Sequence, residues 1–252
     1  MPQRTLIIPD IHNRIDWVRP FISSIDFDSL VFLGDFFDRE KDPGDTLRTA
    51  LWLKETLLMY PQAHFILGNH DAHYRYPDNQ YLKSAGFTWE KCDLINSIIT
   101  ESDWSRFTLY VVEQGWLISH AGVSDVVFRP PGRTLDIKWV EQACGRAMIN
   151  AKLNKPDDVL EPDARRGGKR REGGIIWLDW QIFVPLPGIN QIVGHSVGQE
   201  VRDKHLEKDG QIISMNYCID TACRYAGFIQ DGEFFIAPTP LSELPPEDPH
   251  GD

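Results

Sequence analysis

Leu33-Gly34-Asp35-Phe36-Phe37-Asp38-Arg39 decides how this chain is read. It closes the apolar run 29–33, which has the composition of a short buried strand. Gly34 permits a sharp departure that a Cβ would hinder. Two carboxylates and a guanidinium then fall within five positions. Alone, this is equally a surface loop with an ion pair. Its weight comes from its neighbours, because the same arrangement recurs on either side. Thr5-Leu6-Ile7-Ile8 runs into Pro9-Asp10-Ile11-His12, and His64-Phe65-Ile66-Leu67 runs into Gly68-Asn69-His70-Asp71. Helical spacing fills the gaps, over residues 13–24 (Ile15, Val18, Phe21, Ile22) and from Pro43 to a stop before Pro61. Strand, polar loop and helix in alternation predict parallel α/β units. In such sheets ligands bind in the crevice beyond the carboxyl ends of the strands.

Further along, residues 74–83 suit a loop near that crevice and 88–102 a helix. Runs 107–112 and 116–119 predict a hairpin about Gln114-Gly115, ending at His120-Ala121-Gly122. Residues 134–154 have helical periodicity with Thr134 as a possible N-cap, and 155–174 are polar, with five basic residues between Arg165 and Arg171. We read 123–174 as an insertion over the site. A strand at 189–193 ends in Gly194-His195. Asp209-Gly210 and Asp231-Gly232 are hairpin turn signals between strands near 201–206, 211–215, 225–230 and 233–237. The expected organisation is one domain over 1–237 and a mobile Pro- and acid-rich tail over 238–252.

The 252-residue chain carries a formal charge of −11, which argues against generic nucleic-acid binding over its whole surface. No apolar run approaches the ~18 residues of a membrane span, so no membrane association is expected. Cys92, Cys144, Cys218 and Cys223 form no C-x-x-C pair and are expected to be reduced thiols of a cytoplasmic protein. The start of the sequence runs directly into a strand, so no signal peptide is expected.

The residues that follow the strands are Asp10, His12, Asp35, Asn69, His120 and His195. Carboxylate, imidazole and amide without thiolate suit hard or borderline divalent ions, Mn²⁺, Fe²⁺ or Zn²⁺. Six ligands serve two ions if one carboxylate bridges, and Asp35 on the central loop is the natural bridge.

These motifs in this order (D-x-H, G-D-x-x-D-R, G-N-H-D, a His before Ala-Gly, and a later G-H) resemble the calcineurin-like metallophosphoesterases, with their β-sandwich flanked by helices. The branch most similar is that of the serine/threonine phosphoprotein phosphatases, with their bacterial and diadenosine-tetraphosphatase relatives. Arg39, the Ile176-Trp177-Leu178-Asp179 segment and Asn216-Tyr217-Cys218-Ile219-Asp220-Thr221 carry that finer likeness, while Glu40 stands where the family usually has Gly. The resemblance implies that Asp10, His12 and Asp35 hold one ion and that Asp35, Asn69, His120 and His195 hold the other, with manganese the expected metal. It implies that His70, oriented by Asp38, protonates the leaving group, and that Arg39 binds phosphate oxygens. Trp177 and Tyr217 are expected to serve packing.

The expected activity is therefore phosphomonoester hydrolysis by in-line attack of a metal-bridging hydroxide, on phosphoserine or phosphothreonine in proteins. A nucleotide phosphoanhydride is the alternative substrate, and a phospho-ligand binding protein on a degenerate phosphatase fold is the non-enzymatic one. For the 165–171 loop three readings stay open: a second arginine clamp, a docking strip for an anionic substrate, or a solvated surface segment.

Overall fold

The computed structural model describes residues 3–38, 43–128 and 135–243. Among these, two sheets pack face to face. The first has the order β11-β10-β1-β2-β3-β4 and the second β5-β6-β7-β9-β8, where β1 is Arg4–Ile8, β2 Ser29–Phe32, β3 His64–Ile66, β4 Phe107–Thr108, β5 Tyr110–Glu113, β6 Trp116–Ser119, β7 Asn190–Val193, β8 Arg202–Lys208, β9 Gln211–Cys218, β10 Tyr225–Gln230 and β11 Glu233–Pro238. Strands β1 to β3 run parallel, as the strand–loop–helix alternation predicts, and β4 joins β3 in the same direction.

Side-chain alternation along the first strands builds two cores. Ile7, Val31, Leu33 and Ile66 face the second sheet and meet Trp116, Ile118, Ile192 and Ile219. Leu6, Ile8, Leu30, Phe32 and Phe65 point the other way, towards the helices. Fully burying such a side chain contributes roughly 1.5–3 kcal/mol, so a one-residue slip of register would expose an entire face. The helical layer comprises α1 (Val18–Ser24), α2 (Pro43–Met59), α3 (Asn69–Arg75), α4 (Trp89–Ile98), α5 (Glu101–Trp104), α6 (Asp125–Phe128) and α7 (Ile137–Lys152). Val140, Ala143, Ala147 and Ala151 of α7 belong to that same outer core.

Several local expectations are corrected. The helix expected at 13–24 begins only at Val18, because His12 and Asn13 adopt left-handed backbone with φ of 44° and 64°. Gly68-Asn69-His70-Asp71 opens α3 rather than a loop; the Asp71 carboxylate reaches back to the Gly68 N–H at 3.2 Å. The 88–102 helix is two helices, broken at Ile99 where Thr100 caps α5. The run 107–112 is split at Leu109, with β4 in one sheet and β5 in the other. Asp136 caps α7 by accepting the Trp139 N–H at 2.8 Å, whereas Thr134 lies outside the described residues. The hairpins about Gln114-Gly115, Asp209-Gly210 and Asp231-Gly232 turn with both residues at positive φ.

Past β11 the chain stays docked, with the Thr239 hydroxyl donating to the Cys223 carbonyl at 2.6 Å. Residues 244–252 of the expected tail lie outside the description.

Candidate metal centre and acid pair

The strand ends converge at one place. Asp10, Asp35, Asn69 and His120 are each at most 2% exposed. Donor atoms of Asp10, His12 and Asp35 lie within 4.8 Å of one another, as do those of Asp35, His120 and His195. Asp35 thus belongs to both groups. Asn69 touches the second, its Oδ1 lying 3.1 Å from His120 Nε2 and 2.9 Å from His195 Nδ1. The structure brings all six sequence-derived ligand candidates together.

The backbone aims these groups. His12, Asp35 and His195 have φ of 44°, 49° and 66°, in the left-handed region that costs non-glycine residues energy. Gly34, at φ 99°, lets the chain turn under Gly68, whose nitrogen a Cβ would meet at 2.6 Å. A Cβ on Gly194 would sit 2.0 Å from Asp10 Oδ1, so only glycine fits behind that carboxylate. His12 Nδ1 lies 2.9 Å from the Phe37 carbonyl, and His120 Nδ1 2.9 Å from that of Leu33. A carbonyl only accepts, so each ring carries its proton on Nδ1. Each then turns Nε2 to Asp35 Oδ2, at 3.6 Å for His12 and 3.3 Å for His120. Fixing the tautomer through the distal nitrogen is how metal-binding imidazoles are oriented.

A pair of divalent ions fits these residues. Asp10 Oδ1 and His195 Nε2 are buried with no hydrogen-bond partner among the described residues, a costly state that a cation relieves. Electrostatics agree. Burial pushes Asp10 well above the usual carboxylate range, with Asp220 and Asp35 adding to it. Burial also pulls His195 well below its usual value. Burial alone would lower His120, but the Asp35 and Asp10 charges push it up to about 10. Asp35, which burial would raise, is brought down by His120 and His70.

Beside the candidate ligands stand His70 and Asp38, the expected acid pair. His70 Nδ1 lies 2.9 Å from Asp38 Oδ2. Burial works against a charged His70, yet the Asp35 and Asp38 carboxylates outweigh it and raise its pKa. The His70 backbone N–H donates to Asp35 Oδ1 at 3.0 Å, tying the acid candidate to the bridging candidate. Asp38 is itself at φ 72°. Arg39, expected on phosphate, lies outside the described residues.

Sequence reasoning left Asp71 without a role. It is fully buried and accepts the N–H groups of Asp35 (2.7 Å) and Phe36 (3.0 Å) as well as Gly68, so it moulds the central loop. Burial and the Asp35 charge push its carboxyl up to about 7. Its signal was the last letter of G-N-H-D.

A cavity of about 430 Å³ opens on His12, Asp35, Asn69, His70 and His195, and takes in Lys83, Ala85, Arg166 and Trp177 besides. Trp177 packs in the outer core as expected, and it also lines this cavity and meets the His195 ring edge-on at 5.7 Å. Tyr217 does pack, stacked on Phe234 at 4.4 Å. Within the basic loop, Arg165 pairs with Asp163 and Asp179, and Arg170 with Asp158. Arg166, held by Asp163 at 2.7 Å, is the member that lines the cavity.

Fold and donor set together define a metal-dependent phosphoesterase. The family model of calcineurin-like phosphoesterases matches residues 3–209, and the chain belongs to that family. It is therefore a phosphoester hydrolase, of a family that works with two metal ions. No curated protein matches the chain. Among solved structures it is similar to a serine/threonine phosphatase from Saccharomyces cerevisiae described as similar to human phosphatase PP5. That match has 14% identity over 96% of this chain and 81% of that one, with TM-score 0.49. A metallophosphoesterase from Sphaerobacter thermophilus follows, at 12% identity over 96% and 91%, TM-score 0.45. A Thermus thermophilus protein, TT1561, is similar at 11% identity over 94% and 99%, TM-score 0.43. Family membership rests on the family model.

Proposed function

We propose that this phosphoesterase hydrolyses phosphate monoesters of alcohols, with phosphoserine and phosphothreonine in proteins as its substrates. The observation that carries this reading is the His70–Asp38 pair, at 2.9 Å, with His70 partly exposed to the cavity beside the candidate ligand cluster. An alkoxide is a poor leaving group and needs a proton, whereas the phosphate released from an anhydride does not. A built general acid therefore favours alkyl esters.

In this reading Asp10, His12 and Asp35 would hold one ion, and Asp35, Asn69, His120 and His195 the other, with Mn²⁺ the expected metal for this oxygen- and nitrogen-rich set. Such a pair supplies charge neutralisation at the phosphoryl oxygens and a water acidic enough to attack near neutral pH. His70 holds a proton in its ring and delivers it to the departing oxygen, while Asp38 fixes the ring through Nδ1 and supports its charge. Arg166 binds phosphoryl oxygens from the cavity wall with its planar fork. Arg39, following Asp38 in the chain, is assigned the same task from the G-D-x-x-D-R motif. Four buried, unbridged cysteines support a reducing, cytoplasmic setting.

Turnover of a phosphoserine peptide, p-nitrophenyl phosphate and diadenosine tetraphosphate by the Mn²⁺-loaded protein tests the assignment. The reading expects the highest kcat/KM on the peptide. Preference for the dinucleotide would move the substrate class to nucleotides, and turnover of none of them would reduce the chain to a binding protein.

A further inference from the structure

Asp38 offers two oxygens and, among the described residues, takes three side-chain donors. His70 occupies Oδ2, while Oδ1 accepts the Tyr74 hydroxyl at 2.5 Å and the Lys91 ammonium at 2.9 Å. Lys91 is 2% exposed, an uncommon place for a lysine. It is also the third residue of α4, where Thr88 caps the helix by accepting the Lys91 N–H. A cation in a first helical turn opposes the helix dipole. Neither burial nor helix position favours a lysine here; its ion pair with Asp38, at 2.9 Å, does.

The same ammonium donates to the Gly86 carbonyl at 3.0 Å. Gly86, at φ 82°, backs directly on Asp38, whose Cγ a Cβ would meet at 2.9 Å. Residues 83–86 thus lie against the acid pair, and Lys83 and Ala85 line the cavity. Lys91 ties the carboxylate that orients His70 to the segment that walls the substrate space.

We propose that Lys91 is a positioning residue of the reaction: with Tyr74 it immobilises Asp38 Oδ1, so that Oδ2 stays on His70 while the leaving group is protonated. This rests on the general-acid reading of His70. Without Lys91, the carboxylate keeps Tyr74 on Oδ1 but loses its ion pair and its tie to Gly86, so it holds the ring less firmly.

The test compares Lys91→Met, His70→Asn and the double variant, each loaded with Mn²⁺, on a phosphoserine peptide and on p-nitrophenyl phosphate. Lys91→Met should lower kcat on the peptide by ~10-fold or more, against under ~3-fold on the aryl ester. KM and metal content should hold. Added to His70→Asn, it should change kcat by less than ~2-fold, because the two act through one step. Lys91→Gln, folded by circular dichroism, reports the same pattern where the methionine variant fails to fold. Equal loss on both esters, or additive loss in the double variant, overturns the positioning role. If His70→Asn itself shows no leaving-group dependence, the general-acid reading falls and this proposal with it. If His70→Asn shows that dependence and the Lys91 variants do not, only the proposal falls.

Discussion

Two stretches of this chain are dense in charge, and they are built in opposite ways. The loops after β1 and β2 bury Asp10 and Asp35, hold His12, Asp35 and Asp38 at positive φ, and leave Asp10 Oδ1 without a hydrogen-bond partner among the described residues. In the 163–171 loop the basic side chains are exposed, and the one buried carboxylate, Asp163, is fully paired. Arg165 and Arg170 are matched to carboxylates, and Asp163 caps the short turn Ala164–Arg166 by accepting the backbone N–H groups of Arg165 and Arg166. Charge in a sequence therefore does not locate a site. Buried charge whose ligand atoms are left unsatisfied does, because only an incoming group can repay that desolvation.

Asp35→Asn should break the first region outright. A neutral amide bridges two cations poorly, and losing several kcal/mol of charge stabilisation corresponds to ~10³-fold or more in kcat. Metal analysis should show loss of one or both ions with the fold retained; normal metal content and activity would remove Asp35 from the bridge.

His70→Asn should lower kcat on alkyl phosphates by ~10²–10⁴ and on aryl phosphates less, with metal content unchanged. Loss of metal would make His70 a ligand instead.

The basic loop sharpens the contrast. Arg166→Ala should cost roughly 10–100-fold in kcat/KM on every phosphate ester, through the lost charge-assisted contact. Arg170→Ala, at an exposed ion pair, should stay within about 2-fold. Equal effects would turn the loop into a docking strip, recognised by raised KM for large substrates and a salt dependence.

The smallest effect concerns stability. His73 Nδ1 accepts the Ser84 N–H at 3.0 Å, and its ring stacks on Phe87 at 3.7 Å. Burial lowers its pKa from 6.5 to about 4. The folded ring is thus neutral where the unfolded one would be charged. Its contribution is full above pH 6.5 and lost as pH falls towards 4, on the order of 1–3 kcal/mol. Thermal unfolding across that window should show the slope, and His73→Gln should flatten it.

The cluster of candidate ligands was legible because each member directly follows a strand or sits in a short motif, so chain order encodes proximity. Asp10 and His12, two positions apart, needed no tertiary knowledge. Lys91 and Arg166 could not be found this way. Lys91 meets Asp38 across 53 positions of sequence, and nothing in Glu90-Lys91-Cys92 marks it as buried. Arg166 differs from Arg165 only in which way the short turn at 164–166 directs it. The sheet switch at Leu109 was hidden too, since one apolar run serves β4 and β5 alike. Helix α3 was hidden because its first turn is polar and buried, an inversion of the usual pattern that only a binding site produces.

The central claim is that one carboxylate, Asp35, organises two ions into a centre that hydrolyses phosphate monoesters. Titrating metal-free protein with Mn²⁺, while following bound metal and phosphoserine-peptide hydrolysis together, tests it most directly. The account predicts two ions per chain, with turnover absent from the metal-free protein and complete only when both are bound. Undiminished turnover without metal, or full activity at one ion per chain, would contradict it.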